Sequence, residues 1–101
     1  MKAFELTAKA KEDLKSIARY TENRWGLTQR NLYIKQFDDS FHFLADSPSA
    51  GKECGDIKEG YRRFPQGSHI IFYKKEAARV KVQIIRILHK SMDIDVKFDN
   101  I

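Results

Sequence analysis

Apolar side chains fall along this chain in two different rhythms, and the change between them marks out its elements. Residues 3–7 alternate, with Phe4 and Leu6 on one face, which predicts a short edge strand. Thr7 then offers a hydroxyl to cap a helix. From Ala8 to Trp25 the apolar positions Ala10, Leu14, Ile17, Ala18 and Trp25 recur at helical spacing and form one stripe. Lys9, Lys11, Lys15 and Arg19 lie mostly off it. Trp25 is read as a plug between helix and sheet. Gly26 ends the helix, and Thr28 opens a second one whose apolar face is Tyr33, Ile34, Phe37, Phe41 and Leu44. So short a connection forces an antiparallel helical hairpin. Asp46-Ser47-Pro48 stops the second helix, because the residue before a proline is steered out of helical geometry.

The last third follows the rhythm of strands. Residues 48–60 carry three glycines without periodicity and read as a loop. Tyr61–Phe64 is a short strand closed by a Pro65-Gln66-Gly67 turn. Ser68–Lys74 is rich in β-branched and aromatic residues, Glu76–Arg79 reads as a hairpin loop, and Val80–Leu88 is the strongest strand. That strand alternates at first and then becomes almost continuously apolar, the pattern of a strand covered on both faces. The order is β-α-α-β-β-β. It predicts an α+β domain spanning residues 1–101, with the helical hairpin packed on a small antiparallel sheet of three to four strands.

Composition narrows the function classes. The chain has 101 residues, 42% of them hydrophobic, enough for one compact core. Nineteen lysines and arginines against 14 acidic residues give a net charge of +5, which suits an acidic partner or simply keeps the protein soluble. No apolar run approaches the ~18 residues that span a bilayer, and the N-terminus lacks a secretory pattern, so a cytoplasmic location is the default. A single cysteine, Cys54, excludes an intrachain disulfide and has neither the spacing nor a nearby histidine for thiol catalysis. His42, His69 and His89 are isolated from one another in sequence and form no metal-binding carboxylate–histidine pattern, so no metal or other cofactor is expected.

Three stretches carry a resemblance. They are Leu6-Thr-x-x-Ala10-x-x-Asp13-Leu14, the run from Gly60 through Tyr73, and Ile85-Arg-Ile-Leu-His-Lys-Ser-Met-Asp93. Together they resemble the RelE/ParE superfamily of small bacterial toxins, specifically the ParE family of type II toxin–antitoxin systems. The resemblance implies a toxin neutralised by a cognate antitoxin with an acidic tail, and DNA gyrase as the cellular target. It implies no sequence-specific nucleic-acid binding by the toxin alone and no membrane partner. The superfamily also contains ribosome-dependent messenger-RNA endonucleases, and a degenerate toxin that only binds its antitoxin is a third reading.

Against the endonuclease branch, Ile70 stands where several ribonuclease relatives have an arginine after the histidine. Lys90 follows His89 where those relatives can carry a tyrosine. An isoleucine cannot neutralise phosphate, and an ordinary lysine is a poor base at neutral pH. The expectation is therefore a binder with no catalytic residues. Its expected target-binding surface is Arg86, His89, Lys90, Met92 and Asp93, flanked by Arg62 or Arg63, whose side chains point to opposite faces of their strand. Arg86 interrupts an apolar run, so it either pairs with a carboxylate such as Asp38, Asp39 or Asp93 or reaches that surface. His89 reads as a strand-end cap or a general base. Ile34, Phe37 and Phe41 are core residues first, and the expected lining of an antitoxin groove.

Overall fold

A computed structural model describes residues 2–75 and 80–92. The expected hairpin loop at 76–79 and Asp93 lie outside the described residues. The elements are β1 (Lys2–Leu6), α1 (Ala8–Trp25), α2 (Leu27–Asp46), β2 (Lys52–Glu53), β3 (Tyr61–Gln66), β4 (His69–Lys75) and β5 (Val80–His89). The helical hairpin turns on a single residue, Gly26. Its φ of 95° lies where only glycine sits without strain, and it serves as the C-cap of α1 and the N-cap of α2 at once.

The sheet has five strands in the order β1-β5-β4-β3-β2. Strands β2 to β5 are antiparallel neighbours, as the sequence predicts for strands joined by short connections. Two features differ from that expectation. The loop before β3 contributes a two-residue strand, β2, and β1 lies parallel to β5, so the sheet is mixed. No tight turn links β1 to its partner. Its direction is set by where the helical hairpin returns the chain and not by local sequence.

The helices cover one face. Ala10, Ile17, Phe37, Phe41, Leu44 and Ala45 pack there against Ile71, Tyr73, Val82, Ile84 and Ile87. On the other face Phe72, Ile85 and Leu88 pack with Cys54 and Tyr61, with Ile57 and Ile70 beside them. The run Ile84–Leu88 is thus apolar because β5 is buried on both sides. A bulge adds to this effect. Phe72 faces Arg86 while Tyr73 faces Ile84, so Ile85 is an extra residue without a partner on β4. Trp25 does not join the core. It is the last residue of α1 and is 63% exposed.

One seam ties the layers together. β1 ends at Leu6, opposite Ile84, while β5 continues to His89. The backbone groups of β5 beyond that point meet the first turns of α1 instead. Thr7 donates its N–H to Ile84 O (3.0 Å) and its hydroxyl to Ile85 O (2.8 Å), while the same oxygen caps Ala10 N–H (3.1 Å). Asp13 accepts the Ile87 N–H (3.0 Å) and a bidentate pair from Arg86, at 2.8 and 2.9 Å. Arg86 is therefore an ion-pair residue. Its partner is Asp13, not Asp38 or Asp39. Asp38 sits by His42 and Asp39 by Lys35, on the exposed side of α2.

Both partners of the Asp13–Arg86 pair are mostly buried, at 15% and 13% side-chain exposure. Arg86→Ala should cost about 3 kcal/mol by leaving a carboxylate uncompensated. Asp13→Ala should cost at least as much, since the Ile87 N–H also loses its acceptor. Chemical denaturation of the single and double variants measures this. Strict additivity of the two single losses would rule out the coupling described.

Candidate functional site

At the end of the sheet where β5 finishes, the hairpin and the β3–β4 turn enclose a pocket of about 490 Å³. Its lining comes from α1 (Tyr20, Thr21, Trp25), α2 (Gln29, Tyr33), the turn (Ser68) and the strand ends (His69, His89). The turn is clamped on Tyr33. A Cβ at Gly67, whose φ is +58°, would stand 2.6 Å from the Tyr33 ring, so only glycine allows this approach. The Ser68 N–H donates to the Tyr33 oxygen at 3.0 Å. His69 and His89 are register partners on β4 and β5, with ring centroids 5.3 Å apart and the planes nearly perpendicular.

The hydrogen bonds fix how these rings present themselves. His89 Nδ1 accepts from the Ser91 N–H (3.1 Å) and lies 2.7 Å from Ser91 Oγ, so the neutral ring carries its proton on Nε2. His69 Nδ1 lies 2.7 Å from the Tyr33 hydroxyl, which is also 3.2 Å from Gln66 O. That phenol has one proton for two acceptors. A neutral His69 takes it at the shorter distance and holds its own proton on Nε2. Burial, reinforced by the neighbouring His89 and partly opposed by Asp13, pushes His69 down to about 4. Burial also raises the Tyr33 phenol, against the Ser68 N–H that lowers it, so Tyr33 remains a donor. Neither Nε2 has a hydrogen-bond partner among the described residues.

The structure divides the residues expected at the target surface. His89 lines the pocket, and Lys90 and Met92 follow it in an exposed turn. Arg86 is held by Asp13. Arg62 lies in the row of Tyr73 and Ile84, whereas His89 lies in the row of His69 and Gln66. The two are therefore roughly 13 Å apart along the strand direction alone. Arg62 is committed to Gly51 O (2.6 Å) and Glu53 (3.2 Å), and Arg63 is its neighbour on β3, so neither flanks the pocket.

The antitoxin expectation divides too. Phe37 and Phe41 are buried at 0% and 3% exposure and are unavailable to a partner as the chain is folded. Ile34 remains near the surface, in a shallow apolar depression with Leu14, Ala18 and the stems of Lys11 and Lys15. Sequence reading missed Tyr20, Tyr33 and His69 as site residues. Tyr33 counted only as an apolar position, and nothing in the linear pattern joins position 33 to 69 and 89. Among the described residues no three histidine, cysteine or acidic side chains come together as a metal site, and no helix is long and apolar enough to cross a membrane. Burial raises the Cys54 thiol, as befits a packed and unreactive cysteine.

Comparison with known proteins agrees with this architecture. The family described as the ParE toxin of type II toxin–antitoxin system, parDE, matches residues 4–94. Toxin ParE1 of Caulobacter vibrioides is 39% identical over 93 residues, covering 92% of this chain and 94% of that protein. Toxin ParE1 of Mycobacterium tuberculosis is 32% identical and covers 91% of this chain and 93% of its own. Toxin ParE of Escherichia coli is 31% identical, covering 93% and 90%. A solved structure of the chromosomal ParDE TA system from P. aeruginosa superposes with a TM-score of 0.71 over 88% of this chain and 96% of that one. Its 18% identity makes this a statement about fold.

The depressed His69 has a consequence for stability. An unfolded chain binds a proton at this imidazole near pH 6.5, whereas the native protein does so only near 4. Native stability should therefore fall as pH drops through that window, by His69's contribution. His69→Gln should flatten that part of the pH dependence of Tm. Nuclear magnetic resonance titration should show the His69 ring still neutral at pH 5.5; an ordinary midpoint near 6.5 would contradict the buried arrangement.

Proposed function

This chain belongs to the ParE toxin family of type II toxin–antitoxin systems, and from that premise we propose that it inhibits DNA gyrase by binding, without cleaving any substrate. The docking surface in this reading is the pocket rim at the end of β5. Tyr20 and Trp25 are 64% and 63% exposed there, beside His89 and the turn carrying Lys90 and Met92. Exposed aromatic side chains beside a polar pocket are the composition of interaction hot spots, where large rigid rings give contact area at low entropic cost.

The observation that carries the binding reading is the lack of a cation in the pocket. Its described lining contains no lysine or arginine. Arg86, the arginine on β5, is engaged by Asp13 in a bidentate pair. Cleavage at a ribose 2′-hydroxyl develops charge on phosphate that cations must stabilise. One observation favours the endonuclease alternative: His69, His89 and Tyr33 form an acid–base-competent cluster.

Purified gyrase decides between the two. The toxin should block supercoiling and accumulate cleaved DNA. Trp25→Ala and His89→Ala should raise the inhibitory concentration about tenfold with little change in Tm. Messenger-RNA scission on ribosomes, with supercoiling unaffected, would transfer the protein to the endonuclease reading. Normal colony formation on expression without antitoxin would mark it as a toxin that has lost its activity.

A further inference from the structure

The His69–Tyr33–Gln66 chain has two complete hydrogen-bonding arrangements. In the first, with His69 neutral, the Tyr33 O–H donates to His69 Nδ1. In the second, with His69 protonated, Nδ1–H donates to the Tyr33 oxygen at the same 2.7 Å, and the phenol turns its proton to Gln66 O, 3.2 Å away. The Tyr33 oxygen then accepts from both Ser68 N–H and His69 Nδ1–H, filling its two lone pairs. Either way the inner side of His69 is satisfied. Its Nε2–H and that of His89 are left as donors beside the pocket. The site accommodates a proton on His69 without breaking its own network, provided something arrives to offset the desolvated charge.

The surroundings specify the sign of that something. No carboxylate lines the pocket among the described residues. From α1, Asp13 acts on His69 only through its charge, its carboxylate being bonded to Arg86, and Glu22 is paired with Arg30 (2.7 Å). From α2 the titratable group at the ring is the phenol of Tyr33, beside the apolar ring of Phe37, and from β5 it is His89, followed by Lys90. Arg24 lies over the Trp25 ring, 5.3 Å from its centroid. The whole chain carries +5.

We propose that this pocket seats a carboxylate of the cognate antitoxin: one aspartate or glutamate side chain enters between Tyr20 and Trp25 and accepts hydrogen bonds from His69 Nε2 and His89 Nε2. The antitoxin is the occupant because a type II toxin has such a partner by family membership, and an acidic segment complements a basic chain. The inference rests on the toxin reading. It makes neutralisation a matter of occlusion, since the antitoxin would cover the same rim that docks the target. Complex formation then takes up a proton on His69, because a bound carboxylate raises that imidazole's affinity for protons. Affinity rises as pH falls from about 7 towards 5, the range between the free His69 value of about 4 and the values that a carboxylate neighbour restores.

The test is calorimetric titration of the full-length toxin with the antitoxin encoded beside it, in buffers of different ionisation enthalpy at pH 6. Wild type should take up close to one proton per complex. His69→Gln should lose most of that uptake, and His69→Gln and His89→Gln should each bind about tenfold more weakly at pH 6, as for a lost hydrogen bond to a charged group. Circular dichroism of each variant confirms the fold, and a second probe, the ring Cε1–H resonances of wild-type His69 and His89, should shift together on complex formation. Binding of both variants within twofold of wild type, with no proton uptake and unmoved imidazole resonances, would overturn the carboxylate seat. That outcome is distinct from failure of the gyrase reading, which only the supercoiling assay reports.

Discussion

Strand β5 is longer than the β1 strand beside it, and the first turns of α1 complete the edge that β1 leaves unpaired. Thr7 and Asp13 take Ile84 O, Ile85 O and the Ile87 N–H, positions that a longer β1 would have served. Each such group, buried without a partner, costs on the order of 1–3 kcal/mol. The same Asp13 carboxylate neutralises Arg86, the one charged side chain in the run Ile84–Leu88. A single acid therefore sets where the helical layer sits on the sheet, and it does so at the strand that leads into the pocket. Ala10, fully buried one turn earlier, allows the close approach.

From that seam the site follows in short steps. With α1 anchored at its N-terminus, its later residues Tyr20 and Trp25 line the pocket with His69 of β4 and His89 of β5. Gly26 reverses the chain at once, so α2 returns with Tyr33 beneath them. Tyr33 then pins the β3–β4 turn through Ser68 and Gln66 and aligns His69 with His89. The inner wall of the pocket is thus held by hydrogen bonds of the Tyr33 hydroxyl, while the rings of Tyr20 and Trp25 at its outer wall stay exposed.

That division between a fixed inner network and an open apolar rim suits recognition of a partner. The imidazoles are oriented before anything binds, so little side-chain freedom remains to be lost there. The exposed rings supply the area that association must bury. Arg62 of β3 and Arg86 of β5 are kept from this lining for a structural reason: they are committed to Glu53 and a backbone carbonyl, and to Asp13.

Much of this was legible in the linear chain. Period-3.6 and period-2 patterns located both helices and the main strands, Gly26 marked the hairpin, and the doubly apolar half of β5 announced burial on two faces, because these are properties of neighbouring residues. The motif around Thr7, Ala10 and Asp13, together with the stretches 60–73 and 85–93, carried the family resemblance. Its structural meaning was not readable, since the Asp13–Arg86 pair spans 73 positions. Long-range facts of that kind were decided only by tertiary structure: the parallel placement of β1, the exposure of Trp25 despite its apolar character, and the burial of Phe37 and Phe41 away from any partner. The meeting of Tyr33, His69 and His89 belongs with them. Local sequence sets which way a side chain faces on its own element. What that face meets depends on how the layers dock, and here the Asp13 carboxylate in the second turn of α1 ties them together.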